Sequence, residues 1–418
     1  MYSRMTKCNR TNSSGMTIAV ALLFLVDFVT FLAGFVSVPV LKVFVYGITL
    51  MIVLIKWRTL SMNSYKFGSI WRMIGLYLFL LFIRLLVDFV IPGKGFFLYK
   101  TPSTILFFFV MTMVFPYVVF KKKNIQLDVA TFCLICGFFM TMCLASSLKD
   151  ILNGKIVAAT TGGQYDAGAI DIISYGHYGL SLVFLAVYIW MFLKKRWQKY
   201  LAIVFALIGL SGIVLSGSRS PIVALFVCSF LFIASRYKKW YIFIPIVFLF
   251  IIMLEYIEQM LYSFNDWLSS YGIGSFTRIV ESLFAGDSSV ADLSSGRNAI
   301  FSYSLWVFVD NLVFGYAYLL PDNSYVHNLL IENYMALGVF GGTLFLAINI
   351  IVIKRGIYVL KKKPEQSIYV ILFFQYLILG FFSSTTIANA PYWLFLFIVL
   401  NIYDQRPRIP MNREYYVT

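Results

Sequence analysis

Few side chains in this chain could do chemistry. It has two histidines, His177 and His327, and each stands near the start of an apolar run. The positive end of a helix dipole disfavours imidazolium and favours neutral imidazole. A neutral imidazole at a water–lipid boundary can take a proton from a hydroxyl. An interfacial aromatic bonded to water is the structural alternative. Arg219 lies in Ser216-Gly217-Ser218-Arg219-Ser220-Pro221. Ser and Gly open that turn, and Pro suits a first helical position because its missing N–H is not needed there. A guanidinium in such a turn offers a planar fork of donors that matches a phosphate or diphosphate. Snorkelling to lipid headgroups is the alternative. Arg297 follows Ser294-Ser295-Gly296 and opens Ala299-Ile300-Phe301. A helix dipole does not favour a cation at its start, so an anionic partner explains Arg297 better than capping does. A solvated loop arginine competes with that reading.

Carboxylates add a second layer. Glu332 stands one turn beyond Asn328 on the same helix face, inside an apolar run. A carboxylate within a span is costly and usually functional. Glu332 could orient a neighbour or pair with an arginine. Arg84 and Asp88 are four residues apart in another run and should pair with each other, with substrate contact as the alternative. Asp27 has no evident partner. Arg278, Lys149, Lys155 and His177 are further candidates for binding sugar or acceptor. No Asp-x-Asp occurs, so a metal-dependent reaction is disfavoured and no cofactor is expected, although Asp287, Asp292 and Asp322 leave a metal open.

The elements that must position these residues follow from composition. Of 418 residues, 61% are hydrophobic and 12% charged. The mean hydropathy is +0.84. A soluble domain carries roughly 25% charge. This is therefore a polytopic membrane protein, and its +16 charge is a topology signal rather than a nucleic-acid footprint. Long Leu/Ile/Val/Phe runs favour all-α spans over a β-barrel. Twelve spans are expected, at about 17–35, 37–55, 73–91, 103–120, 127–147, 175–193, 200–216, 221–235, 240–257, 328–353, 367–384 and 389–403. With both termini cytoplasmic, 25 of the 34 basic residues fall in the inner segments.

The chain then reads as one integral membrane domain, 1–418, with outer loops at about 148–173 and 258–326. The longer loop contains apolar stretches at Arg278–Phe284 and Ala299–Phe314 that suit short helices on or in the outer surface. The polar first fifteen residues precede an apolar run without a small-residue cleavage site, which suggests a retained first span. Cys133-x-x-Cys136 falls inside a span and reads as packing, and no disulfide framework is implied. No internal repeat is visible, which weakens a transporter of two related halves.

In order along the chain come the Ser216–Ser220 turn, Ser295-Gly296-Arg297, Phe314-Gly315, and His327-Asn328 opening a helix with Glu332 and Gly338. That order resembles the O-antigen ligase and O-antigen polymerase superfamily over roughly Leu201 to Ile353. The chain departs from the family at Asn311-Leu312, where a proline is frequent, and at Ala336, where a second acidic residue is frequent. The resemblance implies a GT-C-like, all-helical membrane glycosyltransferase of the bacterial plasma (inner) membrane with an extracytoplasmic active site. Its donor would be an undecaprenyl-diphosphate-linked glycan and its acceptor a glycan or lipid-linked hydroxyl. Membrane lipids would surround it, with a chain-length regulator and a flippase as protein partners. Arg219 and Arg297 would bind the diphosphate, and His327 would act as base or orient the acceptor. A polysaccharide polymerase is the preferred reading, a ligase acting on lipid A core the nearest alternative. A lipid-linked oligosaccharide flippase and a structural membrane scaffold compete with both.

Overall fold

The computed structural model describes residues 2–26, 38–57, 68–90, 102–122, 125–152, 172–216, 218–236, 254–271, 297–321 and 324–405. The helices are α1 (Tyr2–Leu25), α2 (Val38–Trp57), α3 (Ser69–Val90), α4 (Pro102–Phe109), α5 (Phe115–Phe120), α6 (Val129–Leu152) and α7 (Ile172–Phe192). They continue with α8 (Arg196–Ser216), α9 (Arg219–Arg236), α10 (Leu254–Ser270), α11 (Arg297–Asp310), α12 (Leu329–Lys362), α13 (Ser367–Ser383) and α14 (Ala390–Asp404). No strand occurs among the described residues. Among the described residues six helices are long and apolar enough to cross a membrane: Ser69–Val90, Val129–Leu148, Ile173–Phe192, Arg196–Ser216, Leu329–Lys362 and Pro364–Ser383. The chain is an all-helical, multi-pass membrane protein. Of the expected spans, 240–257 lies almost wholly outside the described residues, and 17–35 is described only to residue 26. In the expected outer loop, Ala299–Phe314 is helical as far as Asp310 and turns at 311–314, whereas Arg278–Phe284 lies outside the described residues.

Lipid is as apolar as leucine, so a membrane bundle is held by close packing and polar contacts rather than by apolar burial. The core shows both. Every residue of α14 from Ala390 to Ile402 is buried, as its all-round apolarity requires. Trp393 stacks on Tyr77 of α3 (5.8 Å) and on Phe397 (6.0 Å). Asn401 Nδ2 donates to the Phe120 and Lys122 carbonyls (2.7 and 2.8 Å), closing the end of α5. Between α4 and α5 one π-helical turn, Val110–Val114, precedes Pro116. A wider turn there absorbs the clash and missing N–H that proline imposes. Helices α7 and α8 approach closely, since a Cβ on Gly179 would collide with the Gly209 carbonyl. Cys133 and Cys136 are buried free thiols, in keeping with a packing role.

Helix α12 is the irregular element. Its 34 residues are interrupted at Gly338, whose φ of 66° and ψ of −168° are not helical. The break is filled by the turn after α11. Val339 N–H donates to the Leu312 carbonyl and Tyr316 N–H to the Met335 carbonyl, both at 2.7 Å. Backbone groups freed by a break inside a membrane protein need such partners. Gly315 (φ 72°) faces the break, and a side chain on either glycine would collide with backbone of the other segment.

Contacts along α13 fix the direction of its neighbours. His177 meets Gln375 while Tyr188 meets Glu365, so α7 runs antiparallel to α13. Cys228 meets Ile371 and Arg236 meets Pro364, so α9 does too. Asn328 meets Phe381, which brings the start of α12 to the same end. Phe308 packs on Tyr334, and Leu312 follows at Val339, so α11 runs with the first part of α12. The starts of α7, α9, α11 and α12 thus gather at one end of the bundle.

Candidate functional site

Four helix starts at one end aim four positive dipole ends into one region. Arg219 is the first residue of α9 and Arg297 the first of α11. His327 lies two residues before α12. The three residues that the resemblance singles out therefore sit at or just before the starts of three helices that share one end of the bundle.

The turn before α9 is built by hydroxyls. Ser216 Oγ donates to the Ile213 carbonyl (2.7 Å) and accepts from Ser218 N–H (3.2 Å). Ser220 Oγ lies 3.0 Å from His177 Nε2 and 3.4 Å from Ser218 Oγ. Gly176 leaves room for the turn, since a Cβ there would strike Ser216 and Pro221. His177 differs from expectation. It was expected to be an interfacial histidine open to water, yet it is fully buried. Its flanking glycines, Gly176 and Gly179, draw α7 so close to α8 and α9 that the ring is enclosed between helices. Gln375 Nε2 donates to the His177 carbonyl (2.7 Å) and to Ser181 Oγ (2.8 Å), and Ser181 Oγ lies 3.1 Å from Tyr376 Oη.

His327 is the one non-glycine residue with positive φ among the described residues, at 59°. Such a conformation costs roughly 1–3 kcal/mol and survives only where its surroundings over-determine it. Its ring packs on Tyr325 with centroids 3.7 Å apart, and the residue is half-buried. Asn328 is the N-cap. Its Oδ1 accepts from Leu330 and Ile331 N–H (3.0 and 3.1 Å), and its Nδ2 donates to the Phe381 carbonyl (3.0 Å). The strained histidine is thus pinned by the cap that follows it.

Below this start lies a buried polar cluster. Glu332 is 1% exposed, and its Oε1 accepts from Thr386 N–H at 2.8 Å. Asn333 Nδ2 donates to Thr386 Oγ1 (2.8 Å), and Tyr77 Oη donates to Asn333 Oδ1 (2.5 Å). Trp393 Nε1 donates to the Thr386 carbonyl (2.7 Å), and Ile387 N–H to Tyr318 Oη (3.2 Å). Glu332 therefore grips the α13–α14 turn rather than a basic side chain. Its place is that of a support to the site, not of a group open to substrate. Arg84 likewise takes the structural alternative. Its Nη2 meets Asp88 Oδ1 at 2.7 Å, and Asp88 Oδ2 accepts from Tyr318 N–H at 2.8 Å. The pair anchors the segment that leads to His327.

Lys149 falls near the end of α6, with its side chain outside the described residues. Lys155, Arg278 and Asp27 also lie outside them. Residues that sequence reasoning passed over are Gln375, Asn333, Thr386, Tyr77 and Tyr318, while Ser220 entered only as a part of the turn that holds Arg219. Their signal was faint: single polar residues in apolar helices, adjacent to a residue already chosen in the case of Asn333. No protein-family model matches the chain, and no curated protein matches it.

Proposed function

We propose that this chain is a membrane glycosyltransferase of GT-C-like architecture. It transfers a glycan from undecaprenyl diphosphate to a sugar hydroxyl on the outer face of the bacterial plasma membrane, as a polysaccharide polymerase. In this reading the chain has twelve spans and cytoplasmic termini, because the basic residues then collect on the inner side. The single observation that carries the proposal is the gathering of Arg219, Arg297 and His327 at helix starts that share one end of the bundle.

The chemistry follows from charge. As the glycosidic bond breaks, the electron pair leaves with the diphosphate, whose negative charge grows. Guanidiniums of Arg219 and Arg297, backed by helix dipoles, stabilise that growing charge more than the ground state. The acceptor hydroxyl must lose its proton as it attacks, and His327 is the group to take it. A lipid-linked donor accounts for an enzyme that is nearly all membrane. Arg219→Ala, Arg297→Ala and His327→Ala should each abolish transfer while the protein still inserts. Arg297→Lys should also fail, because an ammonium lacks the bidentate fork.

A flippase is the second reading, and the broken α12 is what favours it, since discontinuous helices mark transporter sites. A ligase acting on lipid A core is the third. Deleting the gene and sizing the glycans left on undecaprenyl diphosphate separates them. Single repeat units that accumulate while polymer is lost support a polymerase. Long chains stranded on the carrier point to a ligase. Units trapped on the cytoplasmic leaflet point to a flippase. Unchanged carrier-bound glycan sinks all three.

A further inference from the structure

We propose that His177 is a positioning residue for Arg219, acting through Ser220; this rests on the reading of Arg219 as a diphosphate ligand. Three observations carry it. First, His177 is fully buried and its Nε2 lies 3.0 Å from Ser220 Oγ. The ring therefore faces the turn and not an open site, which removes it from the list of groups that touch substrate. Second, Ser220 is the residue after Arg219 in the first turn of α9. Fixing Ser220 fixes where α9 begins, and so the direction in which the chain presents Arg219. Third, His177 is itself fixed. Its carbonyl accepts from Gln375, and neighbouring Gly176 lets Ser216 and Pro221 seat against α7. The helix α7 thus acts as a template on which the Ser216–Pro221 turn is cast.

A space-filling role alone does not account for an imidazole here. Its Nδ1 is buried with no hydrogen-bond partner, and an unsatisfied buried polar atom costs free energy that a leucine would avoid. What the imidazole adds over leucine is the Nε2 contact with Ser220. The same contact explains why three serines are grouped in so short a turn. Ser216 closes the end of α8, Ser220 reaches α7, and Ser218 lies between them.

The test uses the full chain purified in detergent and measures binding of undecaprenyl diphosphate, with undecaprenol as the ligand lacking the charge. His177→Ala should weaken diphosphate binding by about tenfold, the scale of one lost buried hydrogen bond, and leave undecaprenol binding unchanged. His177→Gln, which can place an amide near the Nε2 position, should restore most of the affinity. The double variant with Arg219→Ala should bind no more weakly than Arg219→Ala alone, because coupled residues are not additive. If His177→Ala fails to fold, Ser220→Ala breaks the same link and should show the same loss. Wild-type affinity in both His177→Ala and Ser220→Ala, additive losses in the double variant, or equal weakening toward undecaprenol would overturn the proposal while the Arg219 reading stands. Undiminished diphosphate binding by Arg219→Ala would instead overturn that reading, and this inference with it.

Discussion

The starts of α9 and α12 lie at the same end of the bundle, but different forces hold them. The α9 start is made by short-range chemistry. Three serines and a proline within six residues shape the turn, and one buried histidine docks it. The α12 start is made by long-range constraint. A strained His327 is followed by a cap, and the helix breaks at Gly338, nearly two turns beyond Glu332, against a segment from after α11. A locally built turn can lose one contact and stay folded, at the cost of how it presents its side chains. A start fixed by interlocked backbone cannot, because each freed group inside a membrane protein has no water to turn to. Variants at the two starts should therefore separate. Those that unlock the break or the cap of α12 should cost stability, and those at α9 should cost binding.

The largest effect is expected from Gly338→Ala. Alanine disfavours φ 66° with ψ −168°, and its Cβ would collide with the Val313 carbonyl. Loss of about 3 kcal/mol or more is expected, read from denaturant unfolding in detergent. A loss below about 1 kcal/mol would mean that α12 can run through unbroken, and the contrast between the two starts would collapse. Next comes Asp88→Ala, which strands Arg84 and leaves Tyr318 N–H without its acceptor. About 3 kcal/mol is expected for breaking a buried pair. Asp88→Asn, which keeps an acceptor for Tyr318, should recover part of it.

Asn328→Ala removes the cap of α12 and the tie to Phe381. It should cost about 1–2 kcal/mol, and Asn328→Ser, which caps without reaching α13, should fall between. Smallest in stability is His327→Gly. Glycine relieves the positive-φ strain but frees the unfolded chain, so stability should stay within about 1 kcal/mol of wild type. Glycan transfer should nonetheless be lost. A His327→Gly protein that unfolds early would show that the ring's packing on Tyr325 matters more than its imidazole. On the α9 side, Ser220→Ala should change stability by no more than about 1 kcal/mol, below the effects at Gly338 and Asp88.

Much of this was legible along the chain. The pairing of Arg84 with Asp88 followed from their helical spacing, and Pro221 marked a helix start within two residues of where α9 begins. Phe314-Gly315 and Gly338 were visible as motif fragments, but not that they meet. His177 proved closed to water, because its place near the start of an apolar run says nothing of what packs around it. Glu332 was seen as a buried carboxylate, yet its partner proved to be a backbone N–H at Thr386, and no side-chain pattern announces a backbone donor.

The sequence by itself determined the class: apolar runs of about 20 residues can satisfy their backbone in lipid only as helices. It also determined where several helices begin, since serine, asparagine and proline act on their own first turn. The tertiary structure alone decided the break in α12, the burial of His177 and the grip of Glu332 on Thr386. Each depends on a group far away in sequence: the Leu312 carbonyl, the glycine-lined face of α7 against α8 and α9, and the α13–α14 turn. Periodicity and propensity are properties of neighbours in the chain. The partner of a freed backbone group is a property of the packed bundle.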